Sequence, residues 1–233
     1  MAAKVKYTRK DLKGPDEFIT TLGRITLWVQ ENRTTVLGVL AIAILALGAI
    51  FGMRAYYRWQ ETKAARDLWP QLTNARELLQ DPSAAGEENL NRLGQSLGAY
   101  VSRHPGTRSE VFARYYLGSI AYVRGDYERS AAQFRSAIES AKGQGSIMDF
   151  LLREGLAQAL ESKGDTESAR KAYGDAASFA NGELRSRVWM GQARMLAIQG
   201  RTDEEAAVYR KILAENPDTP FKELIEIKLS HLG

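Results

Sequence analysis

The residues able to do chemistry in this chain are few and scattered. Histidine occurs twice, at His104 and His231, and there is no cysteine among the 233 residues. Without thiols there is no disulfide framework, no thiolate zinc site and no cysteine nucleophile. Two histidines so far apart in sequence offer neither a multi-histidine metal centre nor a histidine-driven acid–base pair. His104 precedes Pro105-Gly106 and reads as a turn residue. Carboxylate pairs such as Glu204-Glu205 fall on helix faces that read as solvated. Gly143-Gln144-Gly145 lacks the third glycine, the Lys-Ser/Thr pair and the preceding strand of a phosphate-binding loop, so it reads as a plain connection. Asn32-Arg33-Thr34 has the spacing of a glycosylation acceptor but abuts an apolar segment on the side expected to be cytoplasmic. These patterns predict no enzyme, no cofactor and no metal.

What the chain offers instead is a set of elements built to hold side chains in place. From Thr34 to Met53 it runs twenty residues without a charge, between Arg33 and Arg54. As a helix this stretch spans roughly 30 Å, the thickness of a bilayer's hydrocarbon core. Ten of its residues are Val, Leu, Ile or Phe, together worth on the order of −3 to −6 kcal/mol of insertion. Trp28 precedes it and Tyr56, Tyr57 and Trp59 follow it, as in the aromatic belts of membrane interfaces. The 33-residue leader exceeds that of a cleaved signal, so the expectation is a retained signal-anchor. Seven Lys/Arg lie before the span, against four (Arg54, Arg58, Lys63, Arg66) just after it, although five of the seven precede Gly14 and close to the membrane the count reverses. That excess favours an N-terminus in the cytoplasm and a C-terminal part outside.

Three parts follow: residues 1–33 as a basic cytoplasmic tail with a short helix, 34–53 as the transmembrane anchor, and 54–233 as a helical domain. Residues 1–15 read as a flexible tail ending in Gly14-Pro15. Beyond it Phe18, Leu22, Ile25 and Val29 recur at helical spacing. That pattern fits either an amphipathic helix on the membrane surface or a plain extension of the anchor. The leader's seven basic and four acidic residues give it +3, which leaves 25 basic against 24 acidic residues elsewhere. A domain so nearly neutral has no nucleic-acid footprint, and nucleic acid is not expected as a partner.

Residues 54–233 read as all-α, rich in Ala, Leu, Arg and Glu with breaks at Asp81-Pro82-Ser83, His104-Pro105-Gly106, Gly125-Asp126, Gly143-Gln144-Gly145, Gly164-Asp165, Gly182, Gly200 and Pro217. Pro70 is a candidate kink in the first helix. Three stretches superimpose: 117–138, 156–177 and 192–213. Each has a turn glycine (Gly125, Gly164, Gly200), an aromatic nine residues later (Phe134, Tyr173, Tyr209) and a small residue seven before (Gly118, Ala157, Ala193). The glycines are 39 and 36 residues apart, the period of a helix hairpin. Glycine ends the first helix, the small residue lets the helices approach, and the aromatic fills the space between them. One hairpin cannot cover its own apolar face, so neighbours must stack.

These residues resemble the tetratricopeptide repeat. Residues 117–138 carry its Leu117-Gly118 pair, its Gly125-Asp126-Tyr127 turn, its aromatic Phe134 and its Ala137, and Pro217 stands where a closing proline would follow the third unit. Ala121, Ser130 and Glu205 depart from the pattern, and residues 60–105 match only as a degenerate first pair. The resemblance implies an α-solenoid of stacked hairpins that binds proteins or peptides on the concave surface lined by first helices. Carried over position by position, that surface comprises Phe112, Tyr115, Ser119 and Tyr122, then Leu151, Glu154, Gln158 and Glu161, then Arg187, Met190, Arg194 and Ala197. Phe112 and Tyr115 could equally pack on the preceding hairpin.

The layout of short leader, single anchor and divergent repeats is similar to bacterial inner-membrane proteins of the ancillary Sec-translocon subunit family. That resemblance implies a periplasmic repeat domain whose partners are translocon subunits, secreted clients and chaperones. A structural scaffold of another envelope complex is the alternative. Within the span, Gly48 and Gly52 have the spacing that lets membrane helices pack closely, in a homo-dimer or against a partner, although glycine is frequent in such helices anyway.

Overall fold

The structure is a computed structural model that describes residues 17–141 and 146–232. The expected tail 1–15, the Gly143-Gln144-Gly145 connection and the side chains of Phe18 and Leu22 lie outside the described residues. Every described element is a helix. The chain divides into two units, Met1–Arg58 and Trp59–Gly233.

In the first unit, α1 (Glu17–Glu31) is followed by α2 (Arg33–Gln80), whose first part belongs here. Asn32 alone separates them, and the helical ladder runs through it: its N–H donates to the Trp28 carbonyl at 3.0 Å and its own carbonyl accepts from Val36 N–H at 2.9 Å. Its side-chain amide also donates to Trp28 O, at 3.0 Å. The backbone ladder is thus continuous from α1 into α2. Large apolar side chains from Leu37 to Met53 stand exposed, and this helix is long and apolar enough to cross a membrane by length and composition.

The second unit comprises the rest of α2, then α3 (Pro82–Ala85), α4 (Glu87–Arg103), α5 (Arg108–Val123), α6 (Tyr127–Ser140), α7 (Ser146–Lys163), α8 (Thr166–Ala177), α9 (Gly182–Ile198), α10 (Thr202–Glu215) and α11 (Lys222–Leu232). From α4 to α11 each helix packs on the next, and α5 also meets α7. That neighbour-on-neighbour pattern is a solenoid of hairpins.

Pro70, the candidate kink, lies inside α2, which runs on through it. The ring removes one backbone donor, and side chains of the following turn cap carbonyls nearby, Gln71 Nε2 on Asp67 O and Thr73 Oγ1 on Trp69 O, both at 3.3 Å. The break expected at Gly182 occupies residues 178–181, immediately before it, and a further one falls at Gly86. Residues 60–105 do form the first pair. Ala64, Leu68 and Ala75 face Leu90, Leu93, Leu97 and Tyr100 in one buried cluster. Tyr100 Oη donates to Ala64 O at 2.8 Å and Ser96 Oγ to Gln71 Oε1 at 2.8 Å, so the two helices run antiparallel.

The three turn glycines act alike. Gly125, Gly164 and Gly200 take φ of 76°, 88° and 70°, the left-handed region that side chains with a Cβ avoid. The next N–H in each case reaches back five residues, Asp126 to Ala121, Asp165 to Leu160 and Arg201 to Leu196, at 2.9–3.0 Å, closing the first helix in a Schellman turn. Asp126 and Asp165 then cap the second helix, accepting from Arg129 N and Ser168 N at 3.1 Å. Arg201 makes no such cap and pairs instead with Glu204 at 2.7 Å.

Candidate functional site

The aromatics of the second helices are buried, Phe134 against glycine on both sides of a hairpin junction and Tyr173 against glycine on one. A Cβ on Gly118 of α5 would lie 2.9 Å from the Phe134 ring, and one on Gly155 of α7 would lie 2.6 Å from it. Gly191 of α9 stands in the same relation to Tyr173, at 2.7 Å. Phe134 therefore links its own hairpin to the next, and only glycine leaves room for the ring. Ser130, which departs from the repeat pattern, is fully buried and donates from Oγ to Gly118 O at 2.9 Å, so the extra hydroxyl has a partner.

Above Phe134 opens a groove of about 330 Å³ between α2, α5 and α7. Six of the positions expected to bind line it: Tyr115, Ser119, Tyr122, Leu151, Glu154 and Gln158. Tyr115 lies edge-on to Phe134, with centroids 6.0 Å apart, and edge-on to Tyr116 at 5.4 Å. Burial first, and then its neighbour Tyr116, push the Tyr115 phenol above its ordinary value. Ser119 Oγ returns to its own helix at Tyr115 O, 3.0 Å away. The Tyr122 and Ser162 hydroxyls share a hydrogen bond of 3.1 Å across hairpins. Phe112 is 38% exposed on α5 and does not line the groove.

Arg187 and Arg194 lie on α9, outside the groove lining but joined to its rim. Arg187 Nε and Nη2 donate to the two carboxylate oxygens of Glu154 at 2.8 and 2.9 Å. Arg194 repeats this on Glu161 at 2.5 and 2.7 Å, and the Tyr173 hydroxyl donates to the same carboxylate at 2.5 Å. Burial acts to raise Glu161, but the hydrogen bonds from Arg194 and Tyr173 and the charge of Arg194 outweigh it, holding the carboxyl below its ordinary value. Burial, then the Glu161 carboxylate, push the Tyr173 phenol up. Gly48 and Gly52 belong to the first unit, where a Cβ on either would meet nothing within 4 Å.

The groove also has walls that the repeat alignment missed. Arg76, Leu79 and Gln80 come from the first pair, too degenerate to register by sequence, and Tyr116 and Val123 flank the aligned positions of α5. Gly155 and Gly191 are missed as well. The signal for them was a glycine two residues before the aligned small residue of each later unit, Ala157 and Ala193. Among the described residues no group of three or more His, Asp or Glu is placed to hold a metal ion. The groove offers aromatic edges, hydroxyls, the amides of Gln80 and Gln158, the Glu154 carboxylate and the Arg76 guanidinium, which suit recognition of a polypeptide more than bond making.

Comparisons with known proteins agree with this geometry. The family model described as a tetratricopeptide repeat-like domain matches residues 27–233. Two solved structures of a putative kinesin light chain with nearly identical TPR-like repeats from Podosopora anserina are similar in fold. One has a TM-score of 0.58 at 14% identity, covering 72% of this chain and 86% of the other. The second, a methionine-substituted form of the same protein, has a TM-score of 0.57 at 14% identity, covering 72% and 85%. No curated protein matches the sequence. The chain belongs to the tetratricopeptide repeat-like family, whose members are generally protein-interaction modules without catalytic activity.

Proposed function

We propose that this tetratricopeptide repeat-like protein is a membrane-anchored protein-binding module whose repeat unit holds polypeptides in the groove between α2, α5 and α7. The observation that carries the reading is the groove itself, floored by Phe134 and walled by Tyr115, Tyr116 and Tyr122, with its polar groups held by neighbours. Rigid aromatic side chains contribute large contact area at low entropic cost. The anchoring rests on the uncharged residues 34–53 and their exposed apolar side chains.

The leader lies in the cytoplasm and the repeat unit in the periplasm of a bacterial inner membrane. There it assists the Sec translocon or hands secreted clients to chaperones. Support comes from the charge excess of the leader and from the layout of leader, single span and divergent repeats. The second reading, a structural scaffold of another envelope complex, is favoured by the open small face at Gly48 and Gly52.

Photo-crosslinking from position 122 in native membranes separates the two. Capture of translocon subunits, nascent secreted chains or chaperones supports the first reading, and one stable envelope assembly without clients supports the second. A topology reporter fused at Gly233 tests the orientation, since activity on the cytoplasmic side would reverse it. Release of the full chain by mild lysis without detergent would end the anchoring reading.

A further inference from the structure

Beside the groove the charges are arranged in two layers. Glu154 and Glu161 stand two turns apart on α7, and their partners Arg187 and Arg194 stand two turns apart on α9. The carboxylate side chains are 10% and 23% exposed, and the guanidinium side chains 50% and 53%. Each arginine directs Nε and Nη2 inward, and among the described residues nothing takes Nη1 of either. One buried and one partly buried carboxylate thus fix two more exposed guanidinium groups, about 10.5 Å apart along the helix axis. Arg76 lines the groove on its α2 wall and has no acidic partner among the described residues.

We propose that this face selects an acidic polypeptide segment, seating an apolar side chain among Tyr115, Tyr122 and Phe134 and carboxylates on the outward donors of Arg187, Arg194 and Arg76. The inference rests on the protein-binding reading above and adds the chemistry of the partner. Three observations lead there. The outward donors are all cationic. A guanidinium already held in place by two hydrogen bonds loses little side-chain freedom when it takes a carboxylate. The groove between them is floored by Leu79, Val123, Leu151 and aromatic rings, which suits an apolar side chain. The arginine separation matches carboxylates at positions i and i+7 of a docked helix, so the segment is helical with an acidic edge and an apolar stripe.

Fluorescence anisotropy on the full chain in detergent micelles tests this with three labelled helical peptides of equal length. One carries Glu at i and i+7 around a Leu/Phe stripe, one carries Gln at those positions, and one carries Lys. The acidic peptide should bind about tenfold or more tighter than the Gln peptide, with the advantage shrinking as salt rises. Arg76→Gln should reduce that advantage. So should the paired change Glu154→Gln with Arg187→Gln, which removes both charges without leaving a buried carboxylate unpaired. Both should weaken the acidic peptide more than the Gln peptide, so that the ratio of the two affinities falls. Equal binding of all three peptides, or preference for Lys, overturns the acidic selection and leaves the groove reading standing. If none of the three binds, this inference fails, and the crosslinking from position 122 decides separately whether the groove takes proteins at all.

Discussion

Gly155→Ala should destabilise the repeat unit although alanine is the better helix former, and the size of the effect follows from the Phe134 contact. In an open helix interior the exchange gains about 0.5–1 kcal/mol. At position 155 the new Cβ would lie 2.6 Å from Phe134 Cζ and 2.7 Å from Cε1, against about 3.5–4.0 Å for a relaxed carbon contact. The ring must retreat by about 1 Å. It is held from behind by Gly118, where a Cβ would itself be 2.9 Å away. Overpacking of this kind costs about 1–3 kcal/mol, so the net loss is about 0.5–2 kcal/mol, or about 1–8 °C in Tm for a unit of this size. Gly98→Ala in α4 is the control, because a Cβ there meets nothing within 4 Å, and it should raise Tm by about 1–4 °C. Thermal unfolding followed by helical circular dichroism reads both. Adding Phe134→Leu to Gly155→Ala should recover about 0.5–3 kcal/mol relative to the sum of the single changes. If Gly155→Ala stabilises as much as Gly98→Ala, Phe134 does not occupy the junction and the account of hairpin stacking is wrong.

Other outcomes follow from the same geometry. Asp126→Ala removes the cap on Arg129 N and should cost about 1 kcal/mol by urea unfolding, with Asp126→Asn close to unchanged. Tyr100→Phe deletes the buried donor to Ala64 O and should lower stability by about 1 kcal/mol; an unchanged midpoint would show that water replaces it. Because the Glu161 carboxyl is held below its ordinary value, its contribution is fully present above the ordinary carboxylate value and is lost as pH falls through the lowered one. The stability difference between the wild-type chain and Glu161→Gln should therefore be constant near neutrality and shrink only in acid. A difference that grew on acidification would contradict the Arg194 rung.

Much of the fold was legible along the chain because helix hairpins are local. A glycine that must take φ near +75°, an aspartate that must cap the next helix and an aromatic nine residues on all act within one unit, so their spacing repeats in sequence. The degenerate first pair was visible only faintly, since its contacts run through Leu68, Leu97 and Tyr100 without a turn glycine of the later type. The departures Ala121 and Ser130 were visible, but not the bond from Ser130 to Gly118 O that makes the serine acceptable.

Residues 34–53 and the turn glycines needed no partner to be read, because length, charge and backbone conformation are properties of a segment. The walls of the groove and the pairing of Glu154 and Glu161 with Arg187 and Arg194 join helices 33 residues apart in sequence. Which faces of those helices meet depends on how the rings of Phe134 and Tyr173 seat against Gly118, Gly155 and Gly191. That is a matter of side-chain volume between stacked hairpins, which a one-dimensional pattern does not carry, and only the tertiary structure decided it.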